Sequence, residues 1–464
     1  MQFSFRSRRN PGWESCKNDT KQYAMKKIVN RIRNLWRFPS WLYRTRATHF
    51  PDAASLTLRV LARLHAVRNE LRERNISYNL GALYTLPHPL AVKTYASFLG
   101  QNPNHLGHWA GRPPQEGATI QLEYEVIRAM IDLYRANGKN LTGYITSGAT
   151  EGNIFSVWLG KSYLSEFSPP EKIRLLMTSL THYSVRKAAD ICGIQSDTIG
   201  INKTTWAMAP ESLLRTTRRV YKLGITGVLL PLTLGYTSTG TSDEIGAMVR
   251  IVNQLQKELP RLRIFVWIDA ATQGLVTPFL SDFQPFRYPN IQTVVVDFHK
   301  YGRVPYAAGV ILYKRSLQHL IEHPIDYLHE TDATLSGSRP GASAASIWSM
   351  IHIMGKQGYR RIINTQMNNK TYFIRELMRV LPETEIITGE DSVSCGILFH
   401  SLPGGRLPKH IEEKYWFHAG VSSVLFYPDG YKNLILYKCF FLPHMTKKII
   451  AEFIRDLEKS SGQP

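Results

Sequence analysis

The strongest constraint on the fold is an alternation, between residues 141 and 349, of short apolar runs with stretches of helical periodicity. Several of the runs end in Gly, Ser, Thr, Asp or His. This order predicts an α/β domain built on a mostly parallel sheet. In such open sheets, ligands bind beyond the carboxyl ends of the strands, which is where the polar residues fall. The predicted strands are residues 143–145, 173–177, 227–232, 264–268, 294–296 and 309–313.

The flanking regions predict further parts of the fold. Apolar residues at helical spacing predict a helix over residues 53–75, and a stretch rich in Gly, Pro and His follows at 78–117. Loops of that composition often line a site, and residues 78–81 and 105–112 are our candidates for the wall of a side-chain pocket. After residue 355, a helix, two strands and a closing helix predict a smaller α+β domain. We therefore divide the chain into a basic N-terminal arm (1–52), a helical and loop segment (53–140), a large domain (141–350) and a small C-terminal domain (351–464).

The basic arm holds much of the charge of the chain. The 464 residues carry a net charge of +21, and residues 1–46 hold twelve Lys or Arg against two acids, Glu14 and Asp19. Residues 25–37 have the pattern of a basic amphipathic helix. Such a segment could lie on an anionic membrane, target the protein, bind a partner, or pack across a partner subunit with its charges in water. Charge alone permits nucleic-acid binding, but no RNA- or DNA-binding motif supports it, so we predict none.

The cysteines and the hydropathy indicate the cellular compartment and whether the chain spans a membrane. Cys16, Cys192, Cys395 and Cys439 are scattered and form no CxxC pair, which suggests neither a metal site nor a disulfide framework. A reducing cytoplasm fits this usage best. No apolar stretch reaches the ~18 residues that a membrane-spanning helix requires, so we predict no such segment.

A small-residue loop at residues 146–153 follows a predicted strand and opens a helix. Its sequence is Thr-Ser-Gly-Ala-Thr-Glu-Gly-Asn. Small residues let backbone N–H groups approach an anion at a helix N-terminus, and the hydroxyl groups add donors. An ordinary capped helix start would have the same pattern, and the loop is neither a Walker loop nor a dinucleotide fingerprint.

Two further polar residues follow predicted strands. His182 carries a flat imidazole that could lie against a flat heteroaromatic ring, or it could simply cap a helix. Asp269 ends the strongest apolar run and precedes two alanines. A carboxylate in that place could pair with a protonated ring nitrogen, or it could cap a turn.

A lysine sits at the end of the apolar run 294–296, in the tripeptide Phe298-His299-Lys300. Burial opposes the charge on such an amine and makes it a usable nucleophile. That property suits a Schiff base with pyridoxal phosphate. Read alone, the pattern also fits a strand-end lysine at the surface.

The order of these features resembles a known family. An anion loop, a histidine, a strand-end aspartate and, about thirty residues later, a His-Lys pair are similar to group II pyridoxal-phosphate-dependent amino-acid decarboxylases of fold type I. Within that family the chain looks most like the histidine and serine decarboxylase branch. The resemblance extends over residues 78–442 and includes the segments 78–81, 146–153, 182–188, 269–271, 299–300 and 332–339.

The resemblance implies roles for residues at the strand ends. Lys300 would bond to pyridoxal 5'-phosphate, and Asp269 would pair with the pyridine nitrogen. Residues that would contact the ring or the phosphate are His182, Ala271, Ser147, Gly148 and Ala149. His299 would lie beside the reaction centre.

The resemblance also implies a second group of residues. Tyr327 matches a mobile-loop tyrosine that helps protonate Cα after carbon dioxide leaves, although an ordinary loop aromatic would look the same. Ser336 and Gly337 belong to a segment that in this family reaches the cofactor phosphate across a dimer. A homodimer is therefore expected, with the segment 53–140 contributing to the site and the dimer.

Several positions depart from the family pattern. Ala149 replaces a usual glycine, Trp267 replaces a usual histidine, and Phe298 replaces a usual small residue. Asp297 stands where a phosphate-binding serine is common, so an anion lies where another anion is unwelcome. The run from Asp297 to Gly302 is similar to the sphingosine-phosphate lyase branch of the same fold.

We therefore expect a homodimeric, cytoplasmic enzyme that decarboxylates an L-amino acid with pyridoxal 5'-phosphate. Two alternatives remain open at this point. One is a carbon–carbon lyase of a phosphorylated amino alcohol. The other is a non-catalytic, membrane-docked relative, which intact Lys300, Asp269 and His182 argue against.

Overall fold

The computed structural model describes residues 57–73, 76–107, 118–326 and 330–461. The predicted arm at 1–52 and its amphipathic helix lie outside these residues. The chain divides into one unit over residues 1–75 and a second over residues 76–464. In the first unit, the described part is a helix, α1 (Thr57–Glu73), which agrees with the helix predicted over 53–75.

The second unit contains the remaining helices and the strands. The helices are α2 (Pro89–Leu99), α3 (Ala118–Leu133), α4 (Ala149–Ser165), α5 (Tyr183–Ile191), α6 (Pro210–Lys222), α7 (Ile245–Glu258), α8 (Thr277–Leu280), α9 (Gly341–Val380), α10 (Lys409–Lys414) and α11 (Lys447–Ser461). The strands are β1 (Asn104–Leu106), β2 (Leu141–Thr146), β3 (Ile173–Thr178), β4 (Gln195–Ile199), β5 (Ile201–Asn202), β6 (Gly227–Thr233), β7 (Arg263–Asp269), β8 (Ile291–Asp297), β9 (Gly309–Lys314), β10 (His323–Ile325), β11 (Glu330–Asp332), β12 (Ser338–Pro340), β13 (Thr384–Ile387), β14 (Ser394–Phe399), β15 (Ala419–Tyr427) and β16 (Gly430–Phe440).

A seven-stranded sheet forms the centre of this unit, in the order β2-β9-β8-β7-β6-β3-β4. The five strands β8, β7, β6, β3 and β4 run parallel to one another. Strand β9 is antiparallel to both of its neighbours, β8 and β2. Each of the six predicted strands lies within one of these strands. The predicted α/β class with a mostly parallel sheet is confirmed.

A smaller sheet has the order β13-β14-β16-β15-β5 and is antiparallel except where β15 pairs with β5. The sequence predicted β14 and β16 but missed β13, β15 and the two-residue β5. Helix α9 begins at Gly341 and has non-helical backbone angles at Gly355. The predicted boundary between residues 350 and 351 falls inside this helix, and the four-region division stays a prediction.

Both faces of the large sheet are buried. Along β7, Val266 and Ile268 belong to one apolar core, and Phe265 and Trp267 belong to the core on the opposite face. This is expected of a parallel sheet covered on both sides, because successive side chains of a strand point to opposite faces.

Helix α4 lies unusually close to the large sheet. A Cβ atom on Gly152 would lie 2.5 Å from the Val295 side chain, and one on Gly160 would lie 2.5 Å from Leu229. Glycine at these two positions therefore allows the close approach that fixes the start of α4 over the carboxyl end of β8. In the part of the chain that the structure describes, no helix is long and apolar enough to cross a membrane.

Candidate active site

The polar residues singled out in the sequence converge at one edge of the large sheet. Thr146, Asp269 and Asp297 are the last residues of β2, β7 and β8. Carboxyl ends of parallel strands meet at the same edge, which is where α/β proteins bind ligands. His182 caps the start of α5, which follows β3 at the same edge.

Asp269 is a buried carboxylate held by two donors. Its Oδ2 accepts a hydrogen bond from the Asn153 amide at 2.8 Å, and its Oδ1 accepts from the Ala271 N–H at 3.1 Å. Asn153 is itself fixed, because its Oδ1 accepts from Trp267 Nε1 at 3.1 Å and its amide donates to Ser184. This network orients the carboxylate and leaves it able to accept another hydrogen bond from a cationic partner.

Our sequence reasoning missed Asn153 as a site residue. It lies in the quoted loop sequence, but nothing in that segment indicates which carboxylate its side chain reaches. Trp267 replaces the histidine usual in the resembled family, and here its indole N–H supports Asn153 instead.

His182 lies close to these charges. Its Nδ1 is 2.8 Å from Ser184 Oγ, and its imidazole is half-buried. Burial lowers the pKa of His182, nearby Asp269 opposes that shift, and Lys300 adds to it. The imidazole is therefore largely neutral near pH 7, which suits a flat ring that packs against another ring.

Lys300 ends in an ion pair rather than in solvent. Its Nζ lies 2.9 Å from Asp297 Oδ2, and its side chain is 15% exposed. The other oxygen, Asp297 Oδ1, accepts a hydrogen bond from the Ala149 N–H at 2.6 Å. Asp297 thus links Lys300 to the first residue of α4.

His299 contributes a defined tautomer. Its Nδ1 accepts a hydrogen bond from the Ala308 N–H at 3.3 Å, so the neutral ring carries its proton on Nε2. That Nε2 lies 3.6 Å from Asp297 Oδ2. Burial lowers the pKa of His299, although Asp297 opposes this effect. The Tyr306 ring lies against the imidazole, with the ring centres 4.3 Å apart.

The loop before α4 presents backbone N–H groups that are occupied by side chains of the same chain. The Ser147 N–H donates to Glu151 Oε2 at 2.7 Å, and the Ala149 N–H donates to Asp297. Gly148 has φ 148°, and a Cβ there would lie 2.9 Å from His299 Cε1. Only glycine suits that close approach and that backbone conformation.

The predicted residues Ser336 and Gly337 differ in whether they line a cavity near the candidate site. Ser336 lines a cavity of about 240 Å³ together with Ser147 of the same chain. Gly337 is exposed and does not line this cavity. Their contribution to a partner subunit stays a prediction, and Tyr327 lies outside the described residues.

The two predicted wall segments also differ. His105 lines the cavity beside Ser147, whereas residues 108–112 lie outside the described residues. Leu80 packs in the core of the smaller sheet, and Tyr78 donates to Glu452 at 3.0 Å. Neither lines the cavity beside Ser147.

Arg339, one member of an unpredicted ion pair, lines this cavity. The buried Arg339 pairs with Glu123, which also lies 2.9 Å from His105 Nδ1. Burial alone would raise the pKa of Glu123, but the charge of Arg339 and the contact with His105 outweigh it and lower that pKa to about 2. The sequence around Glu123 gives no local signal of these two partners, which lie 18 and 216 positions away.

Comparison with known proteins agrees with this geometry. Residues 108–401 match the family model described as the pyridoxal-dependent decarboxylase conserved domain. An L-aspartate/L-glutamate decarboxylase of Pyrococcus horikoshii is 27% identical over 412 residues, which cover 84% of this chain and 95% of that protein. A tryptophan decarboxylase of Clostridium sporogenes is 25% identical over 369 residues, which cover 77% and 83%.

Solved structures agree on the fold. An L-methionine decarboxylase from Streptomyces sp. 590 has a TM-score of 0.74 at 18% identity, with 90% of this chain and 99% of that chain covered. A sphingosine-1-phosphate lyase from Burkholderia pseudomallei has a TM-score of 0.73 at 17% identity, with 91% and 94% covered. The predicted histidine and serine decarboxylase branch stays a prediction. The family match over most of the chain, together with the fold, shows that this protein belongs to the pyridoxal-dependent decarboxylase family and has the type I fold of pyridoxal-phosphate enzymes.

Proposed function

We propose that Lys300, Asp269 and His182 form the reaction centre of this pyridoxal-5'-phosphate-dependent amino-acid decarboxylase. The observation that carries the proposal is the position of the Lys300 amine. It is mostly buried at the carboxyl end of β8, and its Nζ lies 2.9 Å from Asp297 Oδ2. An amine held there is available for covalent attachment of an aldehyde cofactor.

The ring end of the cofactor fits the residues present. Asp269 is a buried carboxylate with spare acceptor capacity, and it would hold a protonated ring nitrogen. His182 would cover one face of the ring as a neutral imidazole. Ala271 would contact the ring beside Asp269.

The phosphate end fits the loop before α4. Ser147, Gly148 and Ala149 present backbone N–H groups at the start of a 17-residue helix, where anions are favoured. The Ser147 N–H is held by Glu151 and the Ala149 N–H by Asp297, so the phosphate would have to share or displace both carboxylates. Ser336 would add a hydroxyl group from the cavity beside Ser147.

When bound, pyridoxal phosphate supplies an electron sink for the electron pair left at Cα as carbon dioxide departs. Asp269 holds the proton at the ring nitrogen, which keeps that sink effective. His299 directs its Nε2 proton into the site, and Tyr327 is the second candidate for delivering a proton to Cα. Lys300 Nζ lies 2.9 Å from Asp297 Oδ2.

The substrate is an L-amino acid, and assays with a panel of amino acids identify which side chain the site accepts. The names of the relatives make aspartate, glutamate and tryptophan the first substrates to test. The alternative lyase reaction, suggested by the run from Asp297 to Gly302, would appear as aldehyde release from a phosphorylated amino alcohol without carbon dioxide.

The decisive variant is Lys300→Ala. We expect it to lose the visible absorbance of the bound cofactor and to release no carbon dioxide from any amino acid in a panel. Lys203→Ala is the control, because Lys203 is an exposed lysine that pairs with Asp429. A Lys300→Ala protein that keeps both the absorbance and the activity would contradict the proposal.

We propose in addition that the protein acts as a homodimer in the cytoplasm, with the basic arm able to contact a membrane surface. The family resemblance of the segment 336–338 supports the dimer. The cysteine usage supports the cytoplasm, and the charge of residues 1–46 supports the membrane contact. Sedimentation of the purified protein tests the dimer directly.

A further inference from the structure

A second cavity lies behind the turn that follows Lys300. It has a volume of about 430 Å³ and is bounded by the start of α2, by α9 on both sides of Gly355, and by residues 442–443. Arg303, Arg361 and His88 line it, and none of the described residues around it is acidic. The cavity therefore favours a negatively charged occupant.

The cavity also contains a buried amide that has no partner. Gln366 is 2% exposed, and neither its Nε2 nor its Oε1 has a hydrogen-bond partner among the described residues. The Arg303 Nε is likewise buried and unpartnered. Leaving such groups unpaired is destabilising, and native proteins rarely do so without a ligand, an ion or a water molecule in place.

We propose that this cavity binds a small anion that carries a carboxylate or phosphate group. Arg303 and Arg361 supply the charge, and the Gln366 amide donates a hydrogen bond to the same anion. Guanidinium groups match both carboxylate and phosphate, so the two sources share one recognition chemistry. The volume suits metabolites that range from a few heavy atoms up to the size of a small sugar phosphate.

The site is joined to the reactive lysine by a short turn. The Arg303 N–H donates to the Lys300 carbonyl at 3.3 Å, and the Arg303 carbonyl accepts from the His88 N–H at 2.8 Å. The Tyr359 hydroxyl donates to the Gly302 carbonyl at 3.3 Å. An anion that holds the Arg303 side chain restrains this turn. The influence on Lys300 rests on the function proposed above, whereas anion binding itself does not.

The test uses the enzyme saturated with pyridoxal phosphate, so that the phosphate loop is already filled. Thermal unfolding and calorimetric titration are measured with malonate and with inorganic phosphate, against sodium chloride at equal ionic strength. We expect a saturable rise in Tm with at least one of the two anions. Malonate alone would identify a carboxylate site, and phosphate alone a phosphate site.

Two variants, one inside the cavity and one outside it, test the proposal directly. Arg361→Gln removes one charge-assisted contact from an exposed side chain and should weaken binding roughly tenfold. Arg215→Gln, an exposed arginine on α6, should leave binding unchanged. Equal binding by wild type and Arg361→Gln would overturn the proposal.

The variant Gln366→Leu tests whether the cavity binds an anion or holds only a trapped water molecule. Replacing an unpaired buried amide by an apolar group of similar size should raise the Tm of the anion-free protein and reduce the anion-dependent rise. If neither anion raises the Tm of the wild type above the sodium chloride control, the cavity holds water and the proposal is wrong. Retention of the cofactor absorbance and the activity in Lys300→Ala would instead count against the role of Lys300 and would leave the anion site unaffected.

Discussion

At the scale of single residues, Asp297 is the feature that most distinguishes this site. Its carboxylate bridges the Lys300 amine and the Ala149 N–H, which are the two places where the cofactor would be attached. The sequence alone identified Asp297 as an anion in a phosphate-binding position. It did not reveal the bridge, because the Ala149 contact joins residues 148 positions apart.

Asp297→Asn should therefore bind pyridoxal phosphate more tightly. Two unit charges about 4 Å apart repel by ~4 kcal/mol at an effective dielectric constant of about 20, so removing one charge should lower the Kd at least about tenfold. Asparagine retains an oxygen that can accept from the Ala149 N–H. The Kd is measured by titrating the cofactor-free protein and following its fluorescence.

The matched control for this substitution is Asp282→Asn, since Asp282 is half-exposed and pairs with Arg135 on the surface. Its Kd should equal that of the wild type. A weaker affinity in Asp297→Asn would mean that the carboxylate supports the cofactor through Lys300 instead of competing with it.

At the scale of elements, the alternation in the sequence predicted the central strands because each strand is buried on both faces and carries an apolar run. The missed strand β15 has an exposed Val421, and Ser422 and Ser423 interrupt its apolar residues, so its pattern is weak. The two-residue β5 is too short to have a pattern. Likewise, Glu123 of α3 joins β1, β2 and β12 through His105, the Ile145 N–H and Arg339, and no local signal predicts those partners.

Glu123→Gln should loosen all three of these strands. The pKa of Glu123 in the folded protein is about 2, below its ordinary 4.5, so the ionised carboxylate stabilises the fold above pH 4.5. That stabilisation is lost as the pH falls from 4.5 towards 2. We expect Glu123→Gln to lower the free energy of unfolding near pH 7 by ~3 kcal/mol, because Arg339 would keep a buried, uncompensated charge.

Urea denaturation across this pH range measures the effect of Glu123. The wild type should lose stability between pH 4.5 and 2 more steeply than the variant does. Glu171→Gln, at an exposed glutamate, should follow the wild-type curve. Parallel curves for wild type and Glu123→Gln would show that the ion pair does not stabilise the fold.

At the scale of the whole molecule, charge is distributed unevenly along the chain. Residues 1–46 hold twelve of the 57 Lys and Arg residues and two of the 36 acids. This asymmetry follows from composition alone, whereas the proposed membrane contact of residues 1–46 depends on structure that composition does not encode.

Deleting residues 1–46 should abolish binding to anionic vesicles and leave decarboxylation unchanged. Each basic residue near an anionic surface contributes about 1 kcal/mol, so the loss should be large at low salt and small at high salt. Co-sedimentation with vesicles that contain phosphatidylserine measures it, and neutral vesicles are the control. Undiminished binding after the deletion would place the contact elsewhere on the protein.

Because β9 runs antiparallel to β8, Lys300 lies in a hairpin in which Asp297 is paired with Gly309. The lysine end of the site is therefore local in sequence, and its contacts can form within a dozen residues. The other end requires closure of chain segments of 116 and 148 residues, which bring Asn153 to Asp269 and Ala149 to Asp297. Closing such long segments has a large entropic penalty that only the completed core offsets. Cofactor binding by this chain thus reports that the whole α/β core has formed, and a folding intermediate that holds only the hairpin would display the lysine without being able to bind the cofactor.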